Sequence, residues 1–314
     1  MTTNDYRADY LSRHGGSRTR ADAGNPPADA IADGRSEGDV LAVIVDPDAS
    51  TADRVAAIDV AGADAIVRPE VMRALIDLLA TTGDDPAVRR AARTTLAQLS
   101  FSTGEFAPYE ADYRNALRVA ATDADPQLAE GALAVLAQVR DDYAQRIVLA
   151  GLQDPSQAVV SRQRALRLLG HDLHAAQFPL LRDIATTKAA DPVERVTAVR
   201  LLAADSDSAS MFEQFVADRS EEVDVRVASA IALHNLDPGQ FAATAEGIVL
   251  DSDDDDDLRA VCLTALAVTP EAAPVRYGPR ALAEAVLNAP TPPSDELSRA
   301  VEQYRAAKAS DAGN

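Results

Sequence analysis

Seven segments of this 314-residue chain superimpose when their apolar positions are aligned, and in six of them one column holds arginine. The column reads Arg54, Arg89, Ala129, Arg162, Arg195, Arg226 and Arg259, at intervals of 35, 40, 33, 33, 31 and 33 residues. Self-similarity at such a period marks an array of supersecondary units, and no other feature of the sequence constrains the fold as much.

Each unit carries helix signals. Asp85, Asp125 and Asp191 are each followed by proline, an N-cap residue ahead of a first-turn proline. Apolar residues then recur at helical spacing, as in Leu258, Val261, Cys262, Ala265 and Leu266. Second amphipathic segments lie between, such as "PEVMRALIDLLA" (69–80), "YAQRIVLAGL" (143–152), "FPLLRDIA" (178–185) and "MFEQFVA" (211–217). The unit is a helical hairpin that cannot bury both faces alone, so neighbours must stack. With aromatics at 4% and no tryptophan, the core must be built from Ala, Leu, Val and Ile, a composition that favours helix over sheet.

The string D-P-x-V-R-x-x-A, complete in residues 85–92, resembles the second-helix signature of HEAT repeats, including HEAT-like proteins of the phycobilisome-lyase type. The resemblance covers roughly 36–290. It implies an all-α, right-handed α-α superhelix of HEAT/armadillo type with about seven hairpin repeats, and a ladder of Arg–Asp pairs. Residues 1–35 read as a disordered tail, 36–290 as the solenoid, and 291–314 as a capping helix with a frayed end. Departures fall at Ala129, which lacks the arginine, and near Ser161, where the proline-capped start moves upstream to Asp154-Pro155. A cation in the first turn of a helix opposes its macrodipole. The recurring arginines therefore need a fixed partner, expected to be an N-cap aspartate of the same or adjacent repeat, and their expected role is to set register.

The charge balance, 30 basic against 50 acidic residues, fits a salty cytoplasm that screens self-repulsion; high-GC coding is the alternative. A net charge of −20 argues against nucleic acid and anionic membrane as partners. One cysteine, Cys262, rules out an intramolecular disulfide and a Cys-rich zinc site. No apolar run approaches the roughly 20 residues of a membrane helix, and no secretory signal is visible, so a cytoplasmic protein is expected.

Candidate chemistry is sparse, and no cofactor, metal or catalytic residue is expected. His171 and His174 share one loop with Asp172 but lack further ligands, and His234 lies late in a helix. The acidic run "DSDDDDD" (251–257) fails as an EF-hand loop in both frames, because Asp256 or Leu258 stands where glycine is needed. It reads instead as an inter-helix turn leading to N-cap Asp255. HEAT resemblance also reaches some enzymes, but the His-Glu pairs of a deoxyhypusine-hydroxylase-type iron site are missing. So are the basic face and tryptophan of the alkylpurine-glycosylase type.

Aromatic residues supply the candidate partner-binding positions. An insertion, "FSTGEFAPYEADY" (101–113), holds Phe106, Tyr109 and Tyr113, which could anchor a partner or plug the repeat beneath, the plug being favoured. Tyr6 and Tyr10 precede Arg13, His14, Arg18 and Arg20, a basic stretch that could act as a linear motif. The expected function is non-catalytic binding or scaffolding of another protein on a concave helical surface. The alternative is an enzyme or enzyme accessory such as a chromophore lyase or cofactor-maturation factor.

Overall fold

The structure is a computed structural model and describes residues 37–269 and 277–311. The N-terminal tail, with Tyr6 and Tyr10, lies outside the described residues.

Among the described residues there are no strands, and sixteen α-helices of eight or more residues follow one another in hairpins. The first helices of the hairpins are α1 (Glu37–Val45), α3 (Pro69–Ala80), α5 (Glu110–Ala120), α7 (Asp142–Gln153), α9 (Phe178–Thr186), α11 (Ala209–Ala217), α13 (Pro238–Leu250) and α15 (Pro279–Leu287). The second helices are α2 (Thr51–Gly62), α4 (Pro86–Leu99), α6 (Pro126–Gln138), α8 (Arg162–Leu169), α10 (Pro192–Leu201), α12 (Val223–Leu236), α14 (Asp256–Val268) and α16 (Asp295–Asp311).

Each first helix packs on the second helix that follows it, and each second helix packs on the next. The even-numbered helices thus form one unbroken layer from α2 to α16. The odd-numbered layer is continuous from α1 to α5 and from α11 to α15, and thins across α7 and α9. This packing in neighbouring pairs is what an α-solenoid requires.

Local chemistry explains where the second helices begin. The side chains of Ser50, Asp85, Asp125, Ser161, Asp191 and Asp255 each accept a backbone N–H of the first turn. Each such cap stabilises its helix by about 1 kcal/mol. Pro86, Pro126 and Pro192 stand at first-turn positions where no N–H is needed. Behind the caps, small and branched residues enter the core at helical spacing: Val88, Ala92 and Leu96 in α4, and Leu128, Ala132 and Leu136 in α6, all fully buried. Each such Val or Leu contributes roughly 1.5–3 kcal/mol.

The insertion before α5 forms a helical turn, Thr103–Phe106, followed by a 3-10 turn, Ala107–Tyr109. Phe106 and Tyr113 are buried and meet edge to face, with ring centroids 5.4 Å apart. Both fill space between hairpins, with only their edges reaching a small cleft. Tyr109 is half-buried beside them, and Phe101 is the exposed aromatic of the segment.

The hairpin of α7 and α8 departs from the others. Its second helix starts only at Arg162, after a 3-10 turn at Pro155–Gln157 and an extended stretch. The register of Arg162 with Arg195 survives in the apolar residues, since Ala165, Leu166 and Leu169 are buried like Ala198, Val199 and Leu202. One turn of helix is missing ahead of them. The chain runs so close to α7 there that a Cβ on Gly151 would stand 2.9 Å from the Ala158 Cα.

Candidate functional site

Five of the six ladder arginines share one geometry. Each sits in the first turn of a second helix and donates to a carbonyl ten residues earlier in sequence. The bonds run from Arg54 Nε to Ile44 O at 3.1 Å, Arg89 Nη2 to Leu79 O at 3.0 Å, and Arg195 Nε to Ala185 O at 2.9 Å. Arg226 Nε reaches Val216 O at 3.1 Å and Arg259 Nε reaches Val249 O at 3.3 Å. Every acceptor is the penultimate residue of the preceding first helix. The cation placed unfavourably for its own helix therefore lies at the C-terminus of the neighbouring one, where positive charge is stabilising.

In four of the five, the other edge of the guanidinium faces the next hairpin. Arg54 grips Asp84 with two bonds of 2.7 and 2.8 Å, Arg195 grips Glu221 with two of 2.6 Å, and Arg226 grips Asp254 at 2.7 and 2.8 Å. Arg89 pairs with Asp123. The partner is thus not the N-cap aspartate. Asp84, Glu221 and Asp254 each precede the N-cap by one residue; at Asp85 and Asp255 the following carboxylate caps its own helix, as when Asp85 accepts the Ala87 N–H at 2.7 Å. These arginines are almost fully buried. The Arg54 guanidinium holds the Asp84 carboxyl below the usual carboxylate range, and Arg195 does the same to Glu221.

Two positions of the column lack this staple. Ala129 has no guanidinium to offer the carbonyl of Val119. Arg162 lies at the first residue of α8 instead of a turn inside it, so its side chain points out; it is 40% exposed and pairs only with Glu194 at 4.0 Å.

The aspartate run resolves into separate roles. Asp251 accepts the Asp253 N–H at 3.1 Å, Asp254 holds Arg226, and Asp255 caps α14 through the N–H groups of Asp257 and Leu258. Asp256 pairs with Arg259 at 2.7 Å and accepts the Ser294 N–H at 2.8 Å. It closes the ladder where Pro293 leaves no carboxylate ahead of α16. No group of metal-ligating side chains is present among the described residues.

Histidine and cysteine take modest places. His174 Nε2 lies 3.3 Å from Asp172 on the surface of a loop. His234 packs edge-on against Phe241, 5.0 Å between centroids, and burial holds its pKa below the usual histidine value. Cys262 is fully buried, which pushes its thiol up to about 12, so it behaves as a small hydrophobe rather than a nucleophile.

A polar concavity of about 800 Å³ lies along the turns between hairpins, lined by Asp84, Arg89, Arg118, Asp123 and Asp125, and an apolar one lies on the face of the even-numbered layer. A cleft of about 430 Å³ lies between α12, α14 and α16, with Ile231, Val261, Ala265 and Val268 on its walls and Glu296 and Arg299 at its rim. Ile231 is 48% and Val268 73% exposed. A smaller cleft of about 250 Å³ lies beside Phe106 and Tyr113. The sequence alone did not reveal the cleft beside Ile231; its signal was an apolar residue at an outward position in α12, where α8 and α10 carry arginine. No helix among the described residues is long and apolar enough to cross a membrane. No protein-family model matches the chain, and no curated protein matches it.

Proposed function

We propose that this chain is a non-catalytic HEAT-like solenoid that binds or scaffolds another protein on the face of its second helices. The observation that carries this reading is the unbroken α2–α16 layer with exposed Ile231 and Val268 opening into one cleft. Apolar side chains at that exposure, gathered at a concavity, are the usual mark of a partner site. In this reading the hairpins form a right-handed superhelix of about seven repeats closed by α15 and α16. The more continuous packing of the even layer supports its being the concave side in this reading. An enzyme would bring convergent polar groups into its pocket, whereas this cleft is walled mainly by apolar side chains.

The test is recovery of a partner from native lysate at native salt, using the full chain, a chain lacking residues 1–35, and the variant Ile231→Asp/Val268→Asp. A partner retained by the first two and lost by the third supports the reading. A partner recovered equally by all three contradicts it.

A further inference from the structure

The charge on the second helices is not distributed like the charge of the chain. From α4 to α10 these helices carry eight arginines (89, 90, 93, 162, 164, 167, 195 and 200) against two acids, Glu130 and Glu194. Two of the eight, Arg89 and Arg195, are the buried staples. Six arginines therefore remain against two glutamates, in a chain of net charge −20. Arg90, Arg162 and Arg164 find carboxylates at Asp125, Glu194 and Glu130. Arg93, Arg167 and Arg200 have no carboxylate within ion-pair distance among the described residues, although acids outnumber bases overall.

Position along the layer makes this more than an average. Arg167, Arg200, Ile231 and Thr264 each stand five residues beyond the ladder column, so they form one row across four consecutive second helices, α8 to α14. All four are exposed. Ile231 and Thr264 are walls of the 430 Å³ cleft. The row thus runs from two unpaired guanidinium groups directly into an apolar concavity.

Resting on the reading of this face as a protein-binding surface, we propose that its ligand is an acidic peptide segment with an apolar anchor. The anchor occupies the cleft beside Ile231 and Val268, and successive carboxylates pair with Arg200 and Arg167. Packed helices lie about 8–10 Å apart, and an extended chain advances about 3.3 Å per residue. Each row interval therefore corresponds to about three residues, placing the acids about three and six positions from the anchor. Arginine suits this role because its planar fork meets a carboxylate with two parallel hydrogen bonds. A nucleic acid fits less well. It requires many phosphate contacts, and the row offers only two guanidinium groups without a carboxylate partner.

The experiment is fluorescence anisotropy on the full chain, at the lowest salt that preserves its helical circular dichroism. The first probe is a fluorescein-labelled peptide in which a run of six glutamates is followed by Leu-Leu-Phe. The others are its reversed sequence, the counterparts of both with glutamine in place of glutamate, and a single-stranded oligo-dT. One glutamate peptide should bind at least tenfold more tightly than its glutamine counterpart. Arg167→Glu/Arg200→Glu should lose at least tenfold of that affinity while keeping its helical circular dichroism. Both side chains sit in the last turn of their helices, so the charge reversal lowers Tm slightly, and Arg167→Gln/Arg200→Gln should lose affinity in the same direction with a smaller Tm change. Ile231→Asp should lose a similar factor. Equal binding of glutamate and glutamine peptides, no binding of either direction, or preference for the oligonucleotide would overturn the proposal. The broader reading fails separately: a lysate partner lost with Ile231→Asp/Val268→Asp but indifferent to Arg167→Glu/Arg200→Glu defeats only the acidic ligand.

Discussion

Arg226 and Asp254 stand 28 residues apart and meet through two parallel hydrogen bonds of 2.7 and 2.8 Å. Both side chains are 3% exposed. The pair joins the first turn of one second helix to the turn that starts the next. Two further bonds from the same guanidinium, from Nε at 3.1 Å and Nη2 at 2.9 Å, tie in the carbonyl of Val216. One side chain thus fixes three segments.

Removing one partner of such a pair leaves a buried charge uncompensated, which costs about 3–5 kcal/mol. Arg226→Ala should therefore lower stability by that amount in denaturant unfolding. Arg162→Ala, on an exposed side chain with a 4.0 Å ion pair, should change it by no more than about 0.5 kcal/mol. Equal effects of the two substitutions would remove the distinction between stapled and unstapled positions.

The staples also set an acid limit. Asp84 and Glu221 have folded pKa values below the ordinary 3.8 and 4.5, through Arg54 and Arg195. A depressed carboxyl stabilises the fold fully above its unfolded pKa, and the contribution is lost as pH falls through the folded value. The stability gap between wild type and Glu221→Gln should be constant from pH 7 to about 5 and narrow below about 4.5. Melting curves across this range check it; a gap that widens on acidification has the wrong sign.

The Tyr113 hydroxyl is buried without a hydrogen-bond partner, and burial raises its pKa to about 12. An unsatisfied buried polar group costs about 1–3 kcal/mol. Tyr113→Phe keeps the ring against Phe106 and removes that cost, so it should be neutral or stabilising by up to about 1 kcal/mol. A clear loss of stability would show that the hydroxyl has a partner in solution.

Consecutive failures of the ladder at Ala129 and Arg162, together with the missing first turn of α8, leave the middle of the stack least tied. Local opening follows such weakness. Amide hydrogen exchange should be faster over α7 and α8 than over α4 or α12. Uniform protection along the chain would mean that apolar packing alone equalises the hairpins.

Much of this architecture was legible because a stacked array repeats its chemistry. Asp-Pro starts and one arginine column revealed the hairpins and the register of five staples. The acid partners were not legible. Their separation varies from 26 to 34 residues with turn length, and adjacent acids such as Asp84 and Asp85 or Asp254 and Asp255 look alike in sequence. Only the fold tells which caps and which pairs. Arg162 aligned correctly by its apolar neighbours, yet the Asp154-Pro155 start seven residues upstream already indicated a backbone that is not helical there. The Arg167–Arg200 row was hidden by the net charge of the chain, which averages over faces that the fold separates.

Continuity of the even-numbered layer depends on staples that hold one hairpin to the next. A double-mutant cycle on Arg195 and Glu221 measures this most directly, with Arg195→Met, Glu221→Gln and the double variant unfolded in denaturant. Each single change should cost about 3–5 kcal/mol. The double variant should cost less than their sum by roughly 1–3 kcal/mol, the coupling of a shared buried pair. Additive losses, with coupling below about 0.5 kcal/mol, would contradict the claim that this guanidinium locks neighbouring hairpins together.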